Sequence, residues 1–398
     1  MTASRSEPLP FNPEVLRWAR ERIGIPIETA AKRIHTSIER LIDWENPEAT
    51  RRPTVKQGRK LAALYERPFL EFFASEIPNV LPVQLVPDFR FHRVPPFEIE
   101  LIALRKIQRW AEEQRLNALD LFEIMGDITP KFPLELYTSL EMEVDKAAQK
   151  AREFVQLPIE AQFKLNSNQK RRLPDILRSC LSECGVLILK HSDLHKARTR
   201  GICLFAEPLP IIVYGNEAPS AQAFTIAHEF GHILLRQSAI SGGPRFGNTT
   251  SRGKSIEGWC NRFAASFLIP RQALDNLIAR PDVPKDELED SVLDLLATRF
   301  SVSRHAMLIR LVNLGYVKPG FYWRIKRPIY LDEEENFKSP PMRPSYYGSR
   351  YKNSLGTYYT GLVVEAWETG AISSHNAAEF MGIKNVAHLD DIRRNLVG

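Results

Sequence analysis

The chain has 398 residues, 43% of them hydrophobic and 26% charged, with 54 Lys and Arg against 48 Asp and Glu. That length suggests two or three domains of ordinary globular composition with a sizeable core. No run approaches the eighteen or so uninterrupted apolar residues of a membrane span, so no membrane partner is expected. The opening residues MTASRSEPLPFNPE lack the apolar centre of a signal peptide, and a cytoplasmic location is expected. The net charge of +6 permits a polyanionic partner without requiring one. In such a chain Cys180, Cys184, Cys203 and Cys260 read as reduced thiols. Cys180 and Cys184 stand four apart with no second pair to complete a zinc site, so core packing is their expected role.

Residues 1–77 read as one small helical domain. PEVLRWARERIG (13–24) carries apolar residues at 15, 16, 18, 19 and 23 and stops at a glycine. IETAAKRIHTSIERLIDWE divides into helices over 27–34 and 37–45, with His35-Thr36 as the turn and Ser37 as N-cap. PTVKQGRKLAALYERPFLEFF (53–73) gives a fourth and fifth helix with Leu61, Leu64, Phe69 and Phe72 inward. Short helices joined by tight turns are the helix-turn-helix geometry. WARERIG, TAAKRI, IDWE and RPTVKQGRKLA together resemble the Xre/Cro-like repressors of bacteria and phages. The resemblance implies a recognition helix at 37–43, with Ser37, Ile38, Arg40 and Leu41 near operator DNA. Two departures weigh against DNA: Asn46-Pro47 replaces a usual glycine, and residues 10–75 hold 12 Lys or Arg against 9 Asp or Glu. A phosphate-binding face normally carries more positive charge, so protein contact is the other reading.

Residues 78–172 follow as a connector and helices. PNVLPVQLVPDFRFHRVPP (78–96) holds five prolines, which break helices and stiffen an extended segment. Helices are expected at 98–122 and 144–155, and LNSNQKRR marks a loop. A third region, 173–318, opens with a helix at 173–184 and three β-type runs: GVLILK (185–190), GICLF (201–205) and PIIVYG (210–215).

These runs lead into FTIAHEFGHILL (224–235). On a helix, residues four apart share a face, so His228 and His232 can bind one metal ion while Glu229 lies close enough to take a proton from a water there. This is the H-E-x-x-H arrangement, although a helix with two histidines is often only a helix. Gly231 allows another backbone to approach closely. A catalytic zinc needs a third protein ligand. IEGWCNRFAASFLIP (256–270) places Glu257, Cys260, Asn261 and Ala264 on one helical face, offering Glu257 as that ligand and Asn261 as the residue that holds a ligand in place.

FTIAHEFGHILL, a glycine- and serine-rich insert and IEGWCNRFAASFLIP resemble the ImmA/IrrE family of bacterial metallo-endopeptidases, with looser likeness at VPDFRF (86–91) and FSVSRHAMLIRLVNLGYV (300–317). The resemblance implies a zincin-like domain with one Zn²⁺ per chain held by His228, His232 and Glu257, and Glu229 as general base. It also implies a helix-turn-helix repressor or antitoxin-like protein as substrate, whose cleavage relieves repression under stress. Tyr316, Arg310, His305 and Tyr347 are candidates for oxyanion support, each weighed against a structural role. PIIVYG is the expected edge for an extended substrate, and SGGPRFGNTTSRGKS (241–255) a mobile loop beside the cleft.

HSDLH (191–195) repeats the histidine spacing but lacks the glutamate, and reads as a surface loop. LDEEE (331–335) reads as a solvated acidic turn and SPPMRPSYYGSRYKN (339–353) as an exposed linker, within a last region at 319–398 that ends in a helical module. The expected fold is mainly α with a small β-sheet. The alternative function is a DNA-binding regulator or antitoxin whose metal domain is a sensor or partner platform; retention of Glu229 weighs against it.

Overall fold

The structure, a computed structural model, describes residues 9–78, 98–165, 172–241, 251–279, 290–336 and 347–397. Within these the chain forms two compact units, one containing 9–78 and 98–106 and the other 107–397.

The first unit contains α1 (Pro13–Arg22), α2 (Ile27–Ile34), α3 (Ile38–Glu45), α4 (Val55–Tyr65) and a 3₁₀ turn at Phe69–Phe73, with the first turns of α5 (Glu98–Met125). Local chemistry sets the boundaries. Asn12 caps α1 by accepting from the Glu14 N–H, and Gly24, at φ 62°, leaves the helix as only glycine readily does. Ser37 caps α3 by accepting from the Arg40 N–H, and Thr54 and Gln57 close a capping box on α4. Val15, Leu16, Ala19, Ile34, Leu41, Trp44, Leu61 and Phe72 fill the core. Leu64 and Phe69 pack half-buried against it. Beneath it the Arg20 Nε donates to both Glu45 oxygens at 2.8 and 3.0 Å.

The position of Leu41 corrects one expectation. It is 1% exposed and belongs to this core, so it offers no surface to DNA. Ser37 and Arg40 are exposed on α3, beside Ile38 and Ile42.

The second unit confirms the mainly α class with one small sheet. After α6 (Val144–Phe154), α7 (Ile159–Phe163) and α8 (Leu173–Glu183) come strands β1 (Leu187–Lys190), β2 (Gly201–Leu204), β3 (Ile211–Tyr214) and, after α9 (Pro219–Leu234), β4 (Ala239–Ser241). The strand order is β1-β3-β2-β4, with β1 parallel to β3 and the other pairs antiparallel. PIIVYG therefore forms an interior strand rather than the substrate edge, because β3 bonds to neighbours on both sides. The edges are β1 and β4, and β4 was not foreseen.

α10 (Ser251–Leu268) packs on α9, and α6 packs on α10. α11 (Arg271–Ile278), α12 (Asp290–Arg299), α13 (Arg304–Asn313), the short α14 (Pro319–Phe321) and α15 (Arg327–Glu335) continue the chain. α16 (Tyr347–Glu368), α17 (Ser374–Phe380) and α18 (His388–Val397) close it, with α16 against β1.

Three loop expectations are corrected here. LDEEE is the end of helix α15, started by Pro328 in its first turn, and residues 347–353 of the expected linker are helical. Of the expected mobile loop, Ser251 to Ser255 form the first turns of α10; 242–250 lie outside the described residues, as do most of the proline-rich connector and the LNSNQKRR loop. No described helix is long and apolar enough to cross a membrane.

Candidate metal centre

α9 starts with Pro219 in its first turn, where the missing N–H costs nothing, and from Gln222 to Leu234 it is buried at every position but Phe224. Such a helix must satisfy or exploit any polar side chain it carries. It carries three in five residues. His228 is 6% exposed, and Glu229 and His232 are 0% exposed.

The second helix is brought in by small residues. A Cβ on Gly231 would lie 3.2 Å from Phe263 and 3.3 Å from the Cys260 Sγ, so glycine there sets the α9–α10 spacing, as the sequence suggested. Phe230 meets Phe263 and Phe267 edge-on, and Trp259 stacks on Phe263 at 5.3 Å between centroids. This packing delivers Glu257 to the histidines. Its Oε2 is 3.4 Å from the His228 Nε2 and its Oε1 3.0 Å from the His232 Nε2, while the two Nε2 atoms are 3.2 Å apart.

The three donors fit a divalent metal. Tetrahedral zinc, with ligand bonds of about 2.0–2.1 Å, separates its ligand atoms by roughly 3.3 Å, close to all three distances. Hydrogen bonding accounts poorly for the same cluster, since a proton placed between the two Nε2 atoms at 3.2 Å is not available to the Glu257 carboxylate that faces both of them, and the Glu257 Oε1 completes no hydrogen bond of ordinary geometry. Among the described residues, no other group of three or more His, Cys, Asp or Glu side chains meets so closely.

The electrostatics separate the two carboxylates. Burial drives Glu257 upward, yet the charges and hydrogen bonds of His228 and His232 overcome it and hold the group down at about 2. For Glu229, burial dominates and pushes the pKa up to about 8, with His228 pulling the other way. The Ser241 hydroxyl also lowers it but makes no hydrogen bond of ordinary geometry, and neither Glu229 oxygen has a hydrogen-bond partner. One carboxylate is thus held ionised against the imidazoles, and in the metal-free site the other keeps its proton up to about pH 8.

Asn261 is placed by α10 beside His228, where its side chain acts on the imidazole, and Phe224 stacks on the same ring at 6.5 Å. Gly201 was not foreseen. A Cβ on it would lie 2.3 Å from the Glu229 Oε1, so β2 presses bare backbone against the carboxylate. Ser241 pairs across the ladder with Gly201. No local pattern announces either residue, because both reach Glu229 through sheet pairing rather than sequence proximity.

Three of the four oxyanion candidates are occupied elsewhere. Arg310 pairs with Asp145 and donates to the Ile269 carbonyl, the His305 Nε2 meets the Tyr322 hydroxyl at 2.9 Å, and the Tyr316 hydroxyl donates to Asp275 at 2.7 Å. The Tyr347 side chain lies outside the described residues. In HSDLH, His191 caps a short 3₁₀ helix (Ser192–Ala197) and packs edge-on against Trp110, while the His195 Nδ1 sits 2.6 Å from the Ser192 carbonyl. These histidines are committed locally rather than to a metal. Cys203 and Cys260 are buried and Cys180 and Cys184 half-buried, all four as free thiols.

No curated protein matches the chain. Residues 182–312, from the end of α8 through most of α13, match the Peptidase_M78 family model, described as an IrrE N-terminal-like domain. That segment contains His228, Glu229, His232 and Glu257, and the match supports a metallopeptidase of the ImmA/IrrE type built on these helices.

Proposed function

We propose that the chain is a zinc-dependent endopeptidase that cleaves a repressor or antitoxin-like protein and so relieves repression. The observation that carries the reading is the pairing of a closed three-donor set with a fourth buried acid, Glu229, that makes no hydrogen bond of ordinary geometry. A regulator that used metal only as a scaffold has no need of that fourth group.

His228, His232 and Glu257 would hold the zinc ion, which when bound supplies Lewis acidity at the scissile carbonyl and to the attacking water. Glu229 takes the proton of that water and returns it to the leaving amine, a shuttle open to a buried carboxyl whose oxygens have no hydrogen-bond partner of ordinary geometry. Gly201 leaves the Glu229 carboxylate room against the strand, and Asn261 with Phe224 orients the His228 ring. The outer edge of β4 is the reading's site for an extended substrate, because Ser241 ends that strand near Glu229.

The substrate, and a role for Ser37 and Arg40 on α3 in contacting operator DNA, belong to this proposal. A helical unit of this kind in the same chain serves it either by locating the operator where the substrate sits or by mimicking the substrate. The test is cleavage of a peptide library and of purified helix-turn-helix repressors by zinc-loaded protein beside its Glu229→Gln variant. The proposal expects cuts that need both zinc and Glu229. Cuts that persist in the variant contradict the mechanism. A parent that cuts nothing but binds one defined DNA sequence favours the regulator reading.

A further inference from the structure

Far from the metal ligands in sequence, α8, β1 and the break in α16 enclose a cavity of about 290 Å³. Its polar lining includes Arg178, Ser179, Ser182, Lys352 and Thr357, with Asp175 as the one carboxylate among the described lining residues. The break is at Gly356, whose φ of 86° and ψ of 156° are open to glycine and strained for other residues. A Cβ there would also meet the Arg178 Nη2 at 2.7 Å and the Ile188 carbonyl oxygen at 3.2 Å. The helix restarts at Thr357 and runs twelve residues to Glu368, so a new first turn, with N–H groups that lack a partner one turn back, opens on the cavity.

The charges around this turn are unbalanced. Arg178 is 7% exposed and donates to three neutral carbonyls, Asn353 at 2.8 Å, Ile188 at 3.1 Å and Ser354 at 3.4 Å, while its buried Nε has no partner. It makes no ion pair with any described carboxylate. Lys190 shares its surroundings: both cations lie over the Tyr214 ring, at 5.5 and 5.7 Å from the centroid, and Lys190 bonds only to the neutral Gln222 amide oxygen. Burial and then the Arg178 charge lower the Lys190 pKa, with Asp175 pulling weakly the other way, which registers two cations sharing one partly dry site beside a single carboxylate. A cation taken out of water without a counter-charge is costly, and its carbonyl partners fasten α16 to β1 without neutralising it.

We infer that this cavity binds a small phosphate-bearing ligand, held by Arg178, the Ser179 and Ser182 hydroxyls, Lys352 and the N–H groups of the helix that starts at Thr357. Helix N-termini and guanidinium groups are matched to phosphate oxygens in both charge and donor direction. The volume is near the lower end of small-molecule sites, about 300 Å³, which suits a phosphomonoester with a small organic part. Asp175, exposed on the rim, excludes a second anionic group and favours a ligand with one.

The test is calorimetric titration of the full chain with inorganic phosphate at fixed ionic strength, beside Ser179→Glu and the charge-matched control Gln149→Glu. Both substituted positions are exposed, so folding is retained. Saturable binding of one phosphate per chain, with a Kd of about 1 mM or tighter in parent and control and weakened about tenfold or more in Ser179→Glu, is the expected result. Absence of saturable heat, or equal binding by all three proteins, overturns the inference. Neither outcome depends on peptidase activity, so failure here leaves the metal centre untouched.

Discussion

Two buried charge clusters, one in each unit, show what separates structural polarity from chemical polarity. In the first unit Glu45 is 4% exposed and Arg20 meets both of its oxygens, so the pair closes on itself. In the second, His228, His232 and Glu257 turn their acceptors toward one point, and Glu229 beside them has no hydrogen bond of ordinary geometry. Both clusters carry the expense of burial. The first offsets it internally, whereas the second leaves donor atoms converging on a point that a cation could fill. Burial of charge alone thus says little about function, and unmatched donor geometry says much.

The sharpest way to break this contrast is to change each cluster and compare. Glu229→Gln should reduce peptide hydrolysis by about 10²–10⁴-fold while metal content, read by mass spectrometry, stays at the parental value. Glu45→Ala should do the opposite. It leaves Arg20 only Glu21 and the Ile25 carbonyl as partners and should destabilise the first unit by about 1–3 kcal/mol, measured by chemical denaturation, without altering metal content.

Gly201→Ala lies between these. Its added methyl would lie 2.3 Å from the Glu229 Oε1, and a forced shift there should cost about 1–3 kcal/mol of stability and lower activity. Unchanged values would mean that β2 does not press on the carboxylate.

A closed cluster should also show a characteristic pH response. Burial raises the pKa of Asp145, but hydrogen bonds from Ser266 and Arg310 and the Arg310 charge outweigh it, so the folded pKa is below the ordinary 3.8. The group therefore stabilises the fold fully above the ordinary value, and that stability is lost as pH falls through the lowered one. Thermal melts of Asp145→Asn should lack this acid-side loss and lie below the parent near neutral pH. The smallest effect expected is for Ser37→Ala, about 1 kcal/mol from the lost α3 cap, measured by denaturation.

The candidate metal site was legible in the sequence because its parts are local. Two histidines one turn apart and an acid on a second amphipathic helix are read directly from helical periodicity. Helix boundaries in the first unit were legible for a similar reason: Gly24 and Ser37 each act within four residues of where they stand.

What was hidden depends on phase or on long-range pairing. α3 has apolar residues on both faces, and only tertiary packing decides that Leu41 and Trp44 go inward while Ile38 and Ile42 stay out. β4 has three residues, too few to show alternation, and without it β3 looked like an edge. Gly201 and Ser241 reach Glu229 across the sheet, a relation that no spacing in the chain encodes.

The most direct test is the metal content of the purified chain beside His228→Ala, Glu257→Ala and, as control, His191→Ala. One zinc per chain in the parent and in His191→Ala, lost from the other two, is the predicted result. A parent without metal, or metal retained without Glu257, would contradict the site and return α9 to an ordinary buried helix.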